Sequence, residues 1–209
     1  MNMKCKYITI EREYGSGGTK IARLLSDKTG VRCFGQEILE EVSKENDISV
    51  ETIEKYEEKA TGSFLYSIYA MTQAVSGNSD MLTAEGHIYV AEQSVIKRLA
   101  AKGSAIFLGH CASEALKDEK GVVRIFIRCT NEEEKRKRIA ADYGIAENQI
   151  DLTRRHFDKK RMNYYYANTA RKWDDLKNYD IVLDSAVLGI DGCVNMLKSL
   201  LVQEENKDK

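Results

Sequence analysis

The stretch EREYGSGGTKIARLL, residues 11–25, places three glycines within four residues directly after the apolar run YITI. A glycine-rich loop between a strand and a helix can hold phosphate. Its backbone N–H groups converge on the oxygens, and the helix adds its positive end. Set against the pattern GxxxxGK(S/T), Gly17 takes the last glycine and Thr19 the hydroxyl position that meets Mg2+. Gly15 and Ser16 fall inside the cradle. Arg12 stands at the first glycine, however, and Gly18 stands where the lysine belongs. Lys20 is no substitute, because two residues along a helix turn a side chain by about 200°. Arg12 enters from the other side of the loop and can supply charge. The loop alone leaves two readings open, a phosphate cradle or a tight strand-to-helix turn.

A second concentration of chemistry lies at RRHFDKKRMNYYYANTARK. From Arg154 to Lys172 there are seven Lys or Arg and one acid, Asp158. Phosphoryl transfer spreads negative charge over the transferred group's oxygens, and arginines on a lid stabilise it and exclude water. Arginine suits this because its planar fork binds phosphate bidentately. Simpler readings stand beside that one. A charge run is commonly a solvated face, Asp158 and Arg161 are spaced as a helical ion pair, and Tyr164, Tyr165 and Tyr166 can be packing. Bases interleaved with aromatics also fit single-stranded nucleic acid. The formal net charge of −1 argues against a broad nucleic-acid surface.

Positioning these groups requires a frame. KYITI (6–10), SAIFLG (104–109), VVRIFIR (122–128) and YDIVL (179–183), with the weaker VRCF (31–34), have the short, continuous apolar character of strands buried on both faces. Helical periodicity lies between them: Ile21, Leu24 and Leu25 after the loop, then Ile88, Ala91, Val95 and Leu99. Thr130 and Glu133 form a predicted capping box, and GIDGCVNMLKSLL closes the chain as an amphipathic helix. Alternating strands and helices predict a parallel sheet with right-handed crossovers. Two stretches break the rhythm. Residues 35–82, carrying SFLYSIYAMTQAV, and residues 145–178, read as helix–loop–helix, are expected as insertions at the carboxyl edge of the sheet, where open α/β folds bind ligands.

Composition bounds the rest. The 209 residues suit one α/β domain with insertions. The five cysteines show no metal-ligand or CxxC spacing. Their odd number and the lack of a leader-like segment point to a reducing cytoplasm. No apolar run approaches the roughly 20 residues of a membrane span.

Taken together, ITIEREYGSGGTKIARLL, SAIFLGHCASEAL, VRIFIRCTNEEEKRKRI and the segment from Asp158 to Leu197 resemble the cytidylate kinase-like group of P-loop nucleoside monophosphate kinases. Asp158, Arg161, Tyr165, Trp173, Tyr179 and Asp180 stand at recognisable positions, and a missing loop lysine is common in that group. The resemblance covers nearly the whole chain. It implies a three-layer α/β P-loop NTPase/kinase fold with a parallel central sheet. The core would be residues 1–34, 83–144 and 174–203, with a helical monophosphate-binding insertion near 35–82 and an Arg-rich lid near 145–173.

The implied activity is transfer of the ATP γ-phosphoryl group to a nucleoside monophosphate, CMP or dCMP first, with Mg2+. Gly15, Ser16, Gly17, Gly18 and Thr19 would cradle ATP, and Thr19 would help hold the metal. Arg12, Arg154, Arg155 and Arg161 would serve transfer, and His110 and Asp158 the acceptor. Beyond Gly18, three positions depart from the pattern: His110 replaces an arginine, Gly35 an aspartate and Leu108 a metal-side aspartate. Two alternatives therefore accompany the kinase reading, a catalytically weak nucleotide-binding regulator and a kinase for a non-nucleotide acceptor.

Overall fold

The structure is a computed structural model that describes residues 5–59 and 84–201. The segment SFLYSIYAMTQAV and the charged tail after residue 201 lie outside the described residues.

Five strands form one parallel sheet: β1 (Tyr7–Arg12), β2 (Arg32–Phe34), β3 (Ala105–Leu108), β4 (Val122–Arg128) and β5 (Ile181–Asp184), in the order β2-β3-β1-β4-β5. β1 is central, with Tyr7 opposite both Ala105 and Val122. Eight α-helices are present among the described residues. They are α1 (Gly18–Thr29), α2 (Gln36–Asn46), α3 (Val50–Lys59), α4 (Ala84–Ala101), α5 (Ala112–Ala115), α6 (Glu132–Tyr143), α7 (Ile150–Thr169) and α8 (Ser185–Lys198).

Side chains alternate across a strand, and β1 shows the consequence. Ile8 and Ile10 pack on one face with Ile21 and Leu25 of α1 and Val194 and Leu197 of α8. Tyr7 packs on the other with Ile38 and Val42 of α2 and Val95 and Leu99 of α4. The result is the expected three layers. The alternation continues past the apolar run, so Glu11 and Arg12 leave the strand towards opposite faces. They pair in register with Phe126 and Ile127 of β4, two residues beyond where the apolar signal stops.

Several local expectations shift. The lid segment is one 20-residue helix, α7, rather than helix–loop–helix. It holds no glycine or proline to break it, and it ends only at Ala170 in the left-handed region. The cap of α6 is Asn131, whose side chain accepts from Glu134 N, rather than Thr130. Thr130 N instead donates to Asp184 Oδ1 at 3.2 Å. The closing helix starts at Ser185, capped by Asp184, and is broken at Gly189 (φ 67, ψ 171). Among the described residues no helix is long and apolar enough to cross a membrane.

Candidate functional site

The loop between β1 and α1 is built to present amides. Gly15 and Gly17 take φ of 78° and 79°, a region that L side chains avoid. A Cβ at Gly15 would sit 2.7 Å from Ile139 Cγ1, and one at Gly17 would collide with Ile190. Ser16 is fully buried. Its Oγ donates to Glu13 O at 2.8 Å and accepts from Gly18 N at 3.3 Å. The Ser16 carbonyl is held away from the nest, accepting from Ser185 Oγ at 2.7 Å and Arg138 Nη1 at 3.2 Å. Gly17 is the N-cap of α1 and contributes no side-chain cap, so the helix's positive end is left to an anion.

The absent lysine has a steric explanation. A Cβ at Gly18 would lie 2.6 Å from Arg12 Cβ and 2.8 Å from its Cγ, and a Cβ at Gly109 would lie 2.7 Å from Arg12 Nη1. Arg12 therefore runs from the loop to the end of β3 over two glycines, through the volume in which a side chain at residue 18 would begin. Its Nε is buried without a hydrogen-bond partner among the described residues. Burial, and then the nearby Arg161, lower its pKa to about 10, so it stays cationic at neutral pH. A buried, charged and incompletely partnered guanidinium at the end of β3, on a stem that starts at the loop, fits an anionic ligand. Lys135 is a second buried cation under the loop, but Glu13 at 3.1 Å and Glu132 at 3.0 Å neutralise it.

The lid helix lies on the loop. Asp158 Oδ1 accepts from Tyr14 N at 2.7 Å. Arg161 Nη1 donates to Arg12 O at 3.0 Å, and its guanidinium lies 5.6 Å from the Tyr14 ring centroid. Tyr14 is stacked between Tyr143 of α6 and Phe157 of α7, with ring centroids 4.8 and 4.7 Å away. Burial raises the Asp158 carboxyl above the ordinary aspartate range, and the Tyr14 amide only partly offsets this. Arg154 and Arg155 sit elsewhere: Arg154 reaches Glu132 on α6 at 3.3 Å, and Arg155 Nε donates to Asp151 O within its own helix.

Between the lid helix and the ends of β1 and β3 lies a cavity of about 210 Å³, lined by Glu11, Arg12, Gly109, His110, Lys160 and Arg161 among others. His110 and Cys111 follow Gly109 in three successive left-handed residues (φ 79°, 55° and 50°), a costly turn for non-glycine residues. It brings His110 Nδ1 to 3.6 Å from Glu92 Oε2. Glu92 is 0 % exposed and also accepts from Tyr164 Oη of the lid helix. Gly35 and Leu108, two positions whose apolar character departs from the family pattern, are neighbours: a Cβ at Gly35 would lie 3.6 Å from Leu108 Cβ. The approach between these two residues is apolar, and Leu108 is buried with the core. Among the described residues no three acidic, histidine or cysteine side chains cluster for a metal ion.

The structure thus brings Arg12, Arg161 and His110 to one cavity and seats Asp158 on the loop. It places Arg154 and Arg155 outside the residues lining that cavity. Glu11, Lys160 and Glu92 were missed by sequence reasoning. Extending the β1 alternation by two residues would have found Glu11; Glu92, within a helical apolar stretch, gives no local signal.

The glycine nest after a central strand, the parallel sheet and the basic lid define a P-loop kinase fold. The residues 7–187 match the model of the cytidylate kinase-like family, and the chain belongs to that family. Its kinase-like character supports phosphoryl transfer and nucleotide use in general. Solved structures agree on the fold. An uncharacterized protein from Eubacterium ventriosum is 24% identical, with a TM-score of 0.68 over 92% of this chain and 96% of that one. The protein TT1252 from Thermus thermophilus is 14% identical, with a TM-score of 0.54 over 95% and 98%. Shikimate kinase from Bacteroides thetaiotaomicron is 11% identical, with a TM-score of 0.52 over 93% and 97%. No curated protein sequence matches.

Proposed function

We propose that the protein transfers the γ-phosphoryl group of ATP to a small acceptor held between the lid helix and the ends of β1 and β3. A nucleoside monophosphate, CMP or dCMP first, is the acceptor that the family suggests. The observation that carries this reading is Arg12. Its stem passes Gly18 and its guanidinium ends over Gly109, near Arg161, so a cation starts from the loop and reaches the cavity although the motif lysine is absent.

In this reading the amides from Gly15 to Thr19 hold the ATP phosphates. Thr19 would supply a hydroxyl to Mg2+, which when bound would neutralise charge on the transferred group. Arg12 and Arg161 converge on the group in flight, where positioning and charge matter more than a strong base. Arg154 and Arg155 contribute when the lid helix rearranges around nucleotide. His110 meets the acceptor's anionic group, and Asp158 moves from Tyr14 N to an acceptor hydroxyl. α2 and α3, the described part of the segment after β2, form the far wall of the acceptor site. A second reading, a non-nucleotide acceptor, is favoured by one observation, the Glu11 carboxylate in the cavity lining.

Purified protein, ATP, Mg2+ and a panel of nucleoside monophosphates, with diphosphate product measured, test the proposal. Turnover with any member supports it. ATP stabilisation without turnover of any monophosphate would favour a non-nucleotide acceptor or a regulatory nucleotide binder. The absence of both stabilisation and turnover would remove the phosphate-loop reading itself.

A further inference from the structure

We propose that Glu11 takes the proton of a hydroxyl acceptor, so that the acceptor is a small alcohol, such as a sugar or nucleoside hydroxyl, rather than the phosphate oxygen of a monophosphate. The inference rests on the phosphoryl-transfer reading above and decides the acceptor's class within it.

Position comes first. Glu11 precedes Arg12 on β1 and lines the same cavity as Arg12 and Arg161. Alternation along the strand turns the two side chains to opposite faces, so cation and carboxylate reach the cavity from different sides.

Its environment comes second. Glu11 is 8 % exposed, set among Phe126, Tyr165, Trp173 and Tyr179. Among the described residues it enters no ion pair, and its single hydrogen bond is from Trp173 Nε1 to Oε2 at 3.0 Å. A carboxylate buried on one neutral donor is expensive for the fold. An indole N–H can be satisfied by any backbone carbonyl, so packing does not account for an acid here. Oε1 remains for a ligand.

Competing groups come third. Glu92, the other buried acid near the cavity, is committed to Tyr164 and His110. Gly35 and Leu108 offer no carboxylate from the ends of β2 and β3.

The step balances. The acceptor oxygen bonds to the γ-phosphorus as its proton passes to Glu11. The bond from that phosphorus to the β–γ bridging oxygen breaks, and its electron pair leaves with ADP. Glu11 later returns the proton to solvent. A monophosphate oxygen at neutral pH has no proton that must leave, so a buried base would serve nothing there; an alcohol does. The charged and titratable groups around Glu11 and along its cavity are Arg12 on its own strand, Lys160, Arg161, Tyr164 and Tyr165 of the lid helix, Tyr179 ahead of β5, and His110 and Cys111 after β3.

The test uses the full chain with ATP and Mg2+. Cytidine, ribose, glycerol and water serve as hydroxyl acceptors, and CMP, dCMP, UMP and AMP as phosphate acceptors, with ADP release as readout. The expected result is faster ADP release with a hydroxyl acceptor than with any monophosphate. Glu11→Gln then lowers kcat about 100-fold or more, leaves the Kd for ATP within about twofold, and loses the acid limb of the pH profile. Glu11→Asp restores part of the rate, and this variant also carries the test if Glu11→Gln does not fold. Monophosphate turnover that is indifferent to Glu11→Gln would overturn this inference and leave the kinase reading standing. So would hydrolysis or alcohol transfer unchanged by Glu11→Gln, or ATP binding with no ADP from any acceptor. Absence of both ADP release and ATP binding would instead remove the kinase reading.

Discussion

Restoring the motif lysine should damage this protein, and the damage should disappear when Arg12 is removed. Gly18→Lys places a Cβ 2.6 Å from Arg12 Cβ and 2.8 Å from Cγ, against the roughly 3.5–4.0 Å of a relaxed carbon contact. Arg12 Cβ is anchored to the backbone of a central strand and cannot step aside. Overpacking of this kind costs about 1–3 kcal/mol, which in a chain this size lowers Tm by roughly 3–10 °C. Arg12→Gly alone removes the cation and weakens ATP binding about 10-fold or more, the worth of a charged hydrogen bond. The double variant completes GxxxxGKT from residue 12 to residue 19. The overlap is gone, lysine gains up to about 1 kcal/mol over glycine in the first helical turn, and ATP affinity returns. Urea unfolding of wild type, both singles and the double gives a coupling energy expected near the overlap cost of about 1–3 kcal/mol. A coupling below about 0.5 kcal/mol, the usual scatter for independent sites, would show that Gly18 is not cleared for Arg12 and that the loop lost its lysine for another reason.

Other consequences can be measured separately. Arg161→Ala should reduce kcat about 100-fold while changing the ATP Kd only a few-fold if, as proposed, its charge serves the transferred group; equal losses in both would contradict that role. Gly109→Ala imposes a side chain at φ 79° and 2.7 Å from Arg12 Nη1, so it should cost about 1–2 kcal/mol of stability and displace the guanidinium, with turnover falling more steeply than Tm. Asp158 has a folded-state pKa raised above aspartate's 3.8, chiefly by burial. Its contribution to stability is therefore fully present below about pH 3.8 and is lost as pH rises through the raised value. Asp158→Asn keeps an acceptor for Tyr14 N and removes the titration. The variant should gain on wild type as pH climbs from 4 to 7, and parallel stability curves across that window would refute the assignment.

The five strands were legible because a buried parallel strand is a short continuous apolar run, and those runs map onto β1 to β5 within a residue or two. The glycine nest was legible as well, since positive φ at residues 15 and 17 demands glycine. What stayed hidden depended on contacts distant in sequence. The cap of α6 moved to Asn131 because Asp184, 54 residues away, holds Thr130 N. The lid helix runs unbroken because its polar residues include no helix breaker, and polarity alone had suggested a loop. The pairing of Arg12 with Gly18 and Gly109 is a matter of volume in three dimensions. As isolated substitutions, Gly18, Gly35 and Leu108 resembled lost functions; in the fold, Gly18 is space for Arg12, and Gly35 and Leu108 form one apolar contact. Glu11 was overlooked because the apolar run ends at Ile10, whereas the backbone pairing of β1 continues to Arg12.

Trp173 is the only tryptophan in the chain, and its indole N–H ends on Glu11 Oε2 at the cavity. A single buried fluorophore bonded to that carboxylate makes the protein its own optical reporter. Ligands that draw Glu11 away or change its charge will alter emission, while those confined to the phosphate nest will leave it nearly constant. Donor and acceptor binding can thus be separated by colour in the unlabelled protein.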